Sequence, residues 1–398
     1  MNRKRSIVSC FTIVAILLAN FVRADEQPSD EKSVWVTSIA RIGDSDQFAA
    51  ATANGLLLRE ADVTTFNSSD PTTLTTIYAH PAAVWCVVAT SDGNTIASVD
   101  YRGNLITYDV KTQQPTTHEK ALERWCQAMI VAPDNANLIA GNEAGKIMVW
   151  DLAAAKPGKT VELDGHAVTG LAISPDGSQL AASDGGGHVH LFSWPGLEPA
   201  GKIEVSEETA WCVAFVDGGK KLLVGSSDRQ LYRVDAKADT KAESVAKGSD
   251  WITQIAVSPG GHVAAAEVGG RVHFPSLGGT DSMDAESGIW SLCWNGEDQL
   301  LAGTRKNGIV LAGRSWKWTE AKQPEPKPAG EEKPAEAKPA AEGDKPAEKQ
   351  AEEKKPEEKK PEEKKPEEKK ADEKKSDEQP AADKPADKKP ADEPQQDE

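Results

Sequence analysis

Cysteine is scarce in this chain of 398 residues: five occur, and none belongs to a CxxC or CxxCH arrangement. A zinc ribbon or an attached haem is therefore not indicated. Missing too are a GxSxG elbow, a Walker loop and an HExxH helix, which removes the common hydrolase, nucleotide-binding and zinc-protease signatures. Positive charge is in deficit. The 46 Lys and Arg stand against 63 Asp and Glu, for a net charge of −17. Such a surface repels phosphate backbones, so nucleic acid is not an expected partner. No apolar run reaches the ~20 residues that a spanning helix needs. The run from Ile7 to Val22 has 16 residues, with a few small polar ones among them.

The largest absence is at the C-terminal end. From Lys322 to Glu398 there is no Val, Ile, Leu, Met, Phe, Trp, Tyr or Cys. Without them no core can form to offset chain entropy. Between Lys355 and Lys370 the unit Pro-Glu-Glu-Lys-Lys repeats. Proline at every fifth place removes helical hydrogen bonds at ~3 kcal/mol each. The closely mixed charges favour a solvated, extended chain. Residues 321–398 are thus expected to be a disordered tail, either a solubilising spacer or a tether to envelope polymers or other proteins.

What is present begins with an export signal. Arg3, Lys4 and Arg5 precede the apolar run, which ends in Val22-Arg23-Ala24 ahead of Asp25 and Glu26. Small residues at the two positions read by a signal peptidase mark 1–24 as a secretory signal peptide. The mature chain is then expected to be exported, periplasmic or extracellular, with no membrane span. Removing the four positive charges of residues 1–24 leaves −21. The tail, with 19 Lys and 25 Asp or Glu, accounts for −6 of that, and the folded part for −15.

After a short linker at 25–33, a unit of about 42 residues recurs through 34–320. Its clearest copy runs from Val168 to Trp194. Val168, Leu171 and Ile173 mark a first strand, and Ser174-Pro175-Asp176-Gly177 a tight turn. Leu180 to Ser183 mark a second, buried strand, and Val189, Leu191 and Phe192 a third after Gly185-Gly186-Gly187. Other copies are Val34 to Glu60, Val84 to Asp109, Trp125 to Asp151, Ala210 to Asp235, Trp251 to Phe274 and Ile289 to Gly313, seven in all. A single small sheet of this kind cannot bury both faces, whereas a radial ring of them can. The fold class is therefore all-β: a seven-bladed β-propeller.

The Ser-Pro-Asp-Gly turn, Gly165-His166 before a first strand and Val149-Trp150-Asp151 closing a third strand resemble the WD40-repeat family. The chain reads as an exported, bacterial-type member of it, and the resemblance covers about Val34 to Glu320. Many WD40 blades hold a buried hydrogen-bond chain of His, Ser or Thr, Asp and Trp. Here Trp150 alone keeps the third-strand Trp, where Tyr108, Phe192 and Val234 stand in other blades. Gly186, Arg102 and Ala144 occupy places where the family often has Asp, and Asp228 alone keeps that type. His80 and His166 match the His position. No blade is expected to hold the full set. Closure is left open: residues near Ser315-Trp316-Lys317-Trp318 are candidates for the last outer strand, with residues after Asp25 as the alternative.

Six tryptophans recur near the starts of first strands: Trp35, Trp85, Trp125, Trp211, Trp251 and Trp290. They are either packing at blade junctions or an aromatic ring for a partner, since Trp is enriched at binding hot spots. Their apparent registers differ by one residue, which would point the two sets to opposite sides unless a bulge intervenes. Cys86, Cys126, Cys212 and Cys293 fall on first strands of different blades and are expected to be buried thiols rather than bridges. His188 and His190, two apart on a strand, share a face, but no third ligand with suitable spacing is apparent. No metal, cofactor or catalytic residue is expected. The leading functional expectation is a non-catalytic protein-interaction scaffold of the cell envelope. The alternative is a propeller-type enzyme, a lactonase or a quinoprotein-like oxidoreductase, with its site in the central channel.

Overall fold

The computed structural model describes residues 35–163, 165–275 and 282–313. All belong to one of two units into which the chain divides, Met1–Ala329; the other, Gly330–Glu398, has no described residue. The expected signal peptide, the linker and the tail lie outside the described residues, as do Trp316 and Trp318.

The described residues form seven antiparallel sheets, six of four strands and one of three. Each sheet takes its strands in sequence order from one continuous segment. Blade 1 comprises Trp35–Arg41, Gln47–Ala53, Ala61–Asn67 and Asp70–His80. The first strands of blades 2 to 6 are Val84–Ala89, Cys126–Val131, Val168–Ile173, Ala210–Val216 and Ile252–Val257. Blade 7 shows Ile289–Asn295, Gln299–Thr304 and Ile309–Ala312. First strands of successive blades touch all the way round, and that of blade 7 touches that of blade 1. The chain is a closed seven-bladed β-propeller.

Alternating small and branched residues explain the stacking. In blade 4 the second strand Gln179–Asp184 buries Leu180, Ala182 and Asp184 on one face and Ala181 and Ser183 on the other. Leu180, Ala182, Val168 and Phe192 join Ile139, Ile147 and Val149 of blade 3. Ala181, Val189 and Leu191 join Val213, Leu222 and Val224 of blade 5. Seven such apolar clusters exist, one at each junction between neighbouring blades. Burying one Val, Leu or Ile side chain stabilises by about 1.5–3 kcal/mol, so the junctions are the main cohesive element. Contact is close enough that a Cβ at Gly141 would overlap Val168 of the next blade. One at Gly303 would come within 2.7 Å of the Val36 carbonyl, at the junction that closes the ring.

The turn after the first strand is held by its own side chains. Asp176 accepts hydrogen bonds from Ser174 Oγ at 2.6 Å and the Ser178 amide at 3.1 Å, and Gly177 takes φ +69°. Blade 2 repeats this with Asp92, Thr90 and Asn94, and Gly93 at φ +71°. The side chain thus mimics a backbone turn and fixes the hairpin register.

Candidate functional site: a tryptophan rim and buried polar groups at one end of the ring

In all seven blades the first strand slips by one residue against the second near its start. The skipped residues are Thr37, Trp85, Gln127, Thr169, Trp211, Thr253 and Trp290. A bulge of this kind re-aims the extra side chain. Trp85, Trp211 and Trp290 occupy the bulge itself. Trp35, Trp125 and Trp251 precede the bulge residue of their blades by two positions. The one-residue offset expected from the strand starts is therefore corrected to two. Residues two apart share a face, so the two sets point the same way.

Around the ring the two positions alternate: Trp211, Trp251, Trp290, Trp35, Trp85 and Trp125 serve blades 5, 6, 7, 1, 2 and 3 in turn. Only blade 4 has neither, with Ala167 and Thr169 in the two places. The indoles touch one another. Trp211 stacks on Trp251 with centroids 5.9 Å apart, and Trp35 on Trp290 at 6.5 Å. Trp85 meets Trp125 at 5.3 Å, and Tyr101 packs on Trp125 at 5.3 Å. Trp85 also meets Trp290 edge-on at 5.7 Å, although blade 1 separates their blades. These two indoles therefore converge towards the axis of the ring. Arg305 lies over Trp35 at 5.4 Å, within cation–π range. Trp125 is buried, and the other five are half-buried. The indole N–H groups of Trp85 and Trp125 are buried without a hydrogen-bond acceptor, while that of Trp211 donates to Ser227 Oγ at 2.7 Å.

Opposite each first strand, just before its bulge, stands a buried polar residue: Thr52, Asp100, Asn142, Asp184, Ser226, Glu267 or Thr304. Their partners are mostly the backbone of the turn that follows. Asp100 accepts from the amides of Arg102 and Asn104 at 2.8 and 2.9 Å. Asn142 does the same for Ala144 and Lys146 at 3.0 Å each, and Asp184 for Gly186 and His188 at 2.9 Å each. Glu267 turns instead to the amides of Ser249 and Asp250 at 3.0 and 2.9 Å.

This position corrects the expectation for the family hydrogen-bond chain. Where blade 1 meets blade 2, His80 Nε2 at the end of the outer strand of blade 1 lies 2.8 Å from Ser98 Oγ of blade 2, and His80 Nδ1 lies 3.5 Å from Asp100. The Tyr78 hydroxyl completes the group at 3.0 Å from Ser98. His, Ser and Asp are thus assembled, with the carboxylate supplied two residues before Arg102; Tyr108, which stands at the Trp position, packs its ring on Tyr78 with centroids 5.5 Å apart. His166 does not play the part of His80. It stands two residues before the buried Val168, whereas His80 stands four before the equivalent Val84. In blade 4 the imidazoles come from the third strand: His188 Nδ1 lies 3.2 Å from both oxygens of Asp184, and His190 Nε2 lies 2.9 Å from Oδ2. In blade 6, His273 Nε2 sits 2.6 Å from Glu267.

Burial would raise Asp184, but hydrogen bonds from His190 and the His188 amide and the charge of both imidazoles bring it down to about 2. The same opposition leaves Asp100 and Glu267 below the usual carboxylate range. Cys86, Cys126, Cys212 and Cys293 are free thiols, the first three buried. Burial pushes Cys86 and Cys212 up to about 12, which leaves them unreactive.

Two segments, residues 71–109 and 157–193, match the WD domain, G-beta repeat family. Each runs from the outer strand of one blade through the three inner strands of the next, so the sequence repeat is staggered against the blades. No curated protein matches the chain. Among the described residues no helix is long and apolar enough to cross a membrane. The chain is a seven-bladed β-propeller, two stretches of which match the WD40 repeat.

Proposed function

We propose that this protein is a non-catalytic interaction scaffold of the cell envelope, and that it binds a protein partner through the tryptophan rim. The observation that carries this reading is the alternation of indoles over six consecutive blades at one end of the ring, five of them half-buried. Large, rigid aromatic side chains that keep part of their surface in water are suited to be contact anchors. The seven side chains at the bulges are Trp, Thr or Gln, none of them an acid or a base at neutral pH. That favours binding over acid–base chemistry in a channel. The envelope location rests on the basic, apolar and small-residue pattern of residues 1–24.

The test is capture from envelope extract on the immobilised mature chain, with the native N-terminus sequenced in parallel. A partner held by the wild type and weakened at least tenfold by Trp290→Ala or Trp35→Ala supports the rim, because hot-spot truncations cost about 2 kcal/mol or more. A partner held equally by both variants removes the rim as the binding surface. Turnover of lactones or alcohols that survives both replacements turns the reading towards the enzyme alternative. A native chain that begins at Met1 removes it from the envelope.

A further inference from the structure

The one blade without a rim tryptophan carries, at the same end, a cluster of three metal-binding side chains. Asp184 ends the second strand of blade 4, and His188 and His190 open the third strand, His188–Ser193. Antiparallel pairing of Val168 with Asp184 brings this end of the sheet level with the start of the first strand, beside Ala167. One ligand atom from each of Asp184, His188 and His190 lies within 4.8 Å of the others. The sequence conceals this triad, because its third member is a carboxylate on a different strand rather than a further His or Cys.

We propose that Asp184, His188 and His190 form a binding site for a divalent transition cation of the zinc type, with His166 as the fourth ligand. Three observations carry this independently of the rim. First, both imidazoles converge on one carboxylate oxygen, His190 Nε2 at 2.9 Å and His188 Nδ1 at 3.2 Å from Asp184 Oδ2. In a tetrahedral zinc site with bonds near 2.05 Å, neighbouring ligand atoms stand about 3.4 Å apart. The donors need to part from the carboxylate by only a few tenths of an ångström to admit the ion. Second, the carboxylate is held by other bonds. Its Oδ1 takes the amides of Gly186 and His188, which fixes the side chain, while Oδ2 is left to His190 and is shared with Oδ1 in the contact to His188. Such outer hydrogen bonds orient ligands in metal sites. Asp184 is buried and His190 nearly so, while the His188 side chain keeps 21% of its surface exposed and gives a way in.

Third, Gly186 makes room for another imidazole. A Cβ there would lie 2.9 Å from His166 Nε2 and 3.0 Å from His188 Cε1. The rings of His166 and His188 lie beside this glycine, tilted at 50° to each other with centroids 6.1 Å apart. With no side chain of its own, Gly186 leaves the space between the two rings open. The equivalent acids Asp100 and Glu267 are each paired with one His, His80 from the neighbouring blade 1 and His273 from blade 6 itself. Two imidazole nitrogens and a carboxylate oxygen suit zinc, nickel or copper rather than calcium or magnesium.

The full chain, purified without a histidine tag and stripped with a chelator, is titrated with Zn²⁺ against a chromophoric competitor and separately with Co²⁺. The expected result is one tight zinc per chain, a visible d–d spectrum of low-coordinate Co²⁺, and a higher melting temperature with zinc. His188→Ala should weaken zinc by about 100-fold or more. Gly186→Ala should weaken it by about tenfold and shift the cobalt spectrum, because its methyl group fills the space that His166 needs. His273→Ala, at the pair in blade 6, should change none of these. If His188→Ala fails to fold, Gly186→Ala and His166→Gln decide alone, through the zinc-dependent rise in melting temperature. The proposal is overturned if the wild type retains no zinc, or if these variants bind it as the wild type does. The latter outcome would assign the ion to the acidic remainder of the chain.

Discussion

A single inserted residue decides where each tryptophan of the rim points. Trp85, Trp211 and Trp290 sit at bulges, and Trp35, Trp125 and Trp251 sit two residues earlier beside a Thr or Gln bulge. Where Thr takes the bulge, its hydroxyl can tie two blades together: Thr37 Oγ1 donates to the Val84 carbonyl at 2.6 Å, and Thr169 Oγ1 to that of Ala210. Where Trp takes it, the indole leans on its neighbours instead. The choice between packing and binding therefore differs from residue to residue. Trp125 is 9% exposed and is wedged between Trp85 and Tyr101. Trp125→Ala should cost about 3–5 kcal/mol, the range for a buried aromatic. Trp290→Ala, half-buried, should cost about 1–2 kcal/mol, within the ordinary span for single substitutions. Urea melts of the two variants check the order. Equal losses would show that exposure does not separate anchor from filler here. The recurrence of Trp was legible in the sequence, but its direction was not. Pairing register is set by a partner strand some 15 residues away, and nothing local to Val-Trp-Cys marks the slip.

At the scale of the strand, the recurring device is the buried polar residue that ends the second strand of six blades and stands last but one, as Thr52, in blade 1. The repeats made the strands themselves legible, through period-two patterning and the Pro-Asp-Gly type of turn. The polar column was hidden for a specific reason. The family resemblance directs attention to Gly186, Arg102 and Ala144, whereas the carboxylates stand two residues earlier, at Asp184 and Asp100. There they serve the same turn, by accepting its amides from the strand side. This gives the ring an acid sensitivity whose sign is fixed. Asp184 falls from 3.8 to about 2 in the folded chain. A depressed carboxylate contributes stability that is present above its unfolded value and is lost as pH falls through the folded one. Asp100 and Glu267 are lowered as well and add to the same slope. The melting temperature should therefore drop steeply between about pH 4 and pH 2. Asp184→Asn should melt lower at neutral pH and show a shallower drop over that window. A variant with the wild-type slope would mean that Asp184 titrates alike in the folded and unfolded chain.

At the scale of the whole ring, the sequence repeat and the blades are out of step: the matched segments, residues 71–109 and 157–193, each cross from one blade to the next. Yet the described part of blade 7 comes from one segment, and so does blade 1, from Trp35 to His80. No strand exchanged between the two ends is present among the described residues to latch the ring. Apolar contact holds the seam instead: Leu301 and Ile309 of blade 7 pack against Val36, Phe48 and Phe66 of blade 1, and Ile309–Ala312 also meets Asp70–His80. Blade 7 shows three strands where every other blade shows four. The sequence after Gly313 offers a short apolar stretch, Ser315-Trp316-Lys317-Trp318, and then none through to Glu398. These facts divide the remaining chain into a part the fold can use and a part it cannot. A chain ending at Gln323 should melt within a few degrees of the full mature chain, because the residues removed have no large apolar side chain to bury. A chain ending at Gly313 should melt several degrees lower, since it loses the last two large apolar side chains of the sequence, Trp316 and Trp318. Calorimetry on the three chains distinguishes the cases. If the Gly313 chain melts with the others, blade 7 is complete with three strands and the two tryptophans serve something outside the ring. If the Gln323 chain falls with it, the charged segment contributes to the ring after all, and its lack of apolar residues has been misread as independence.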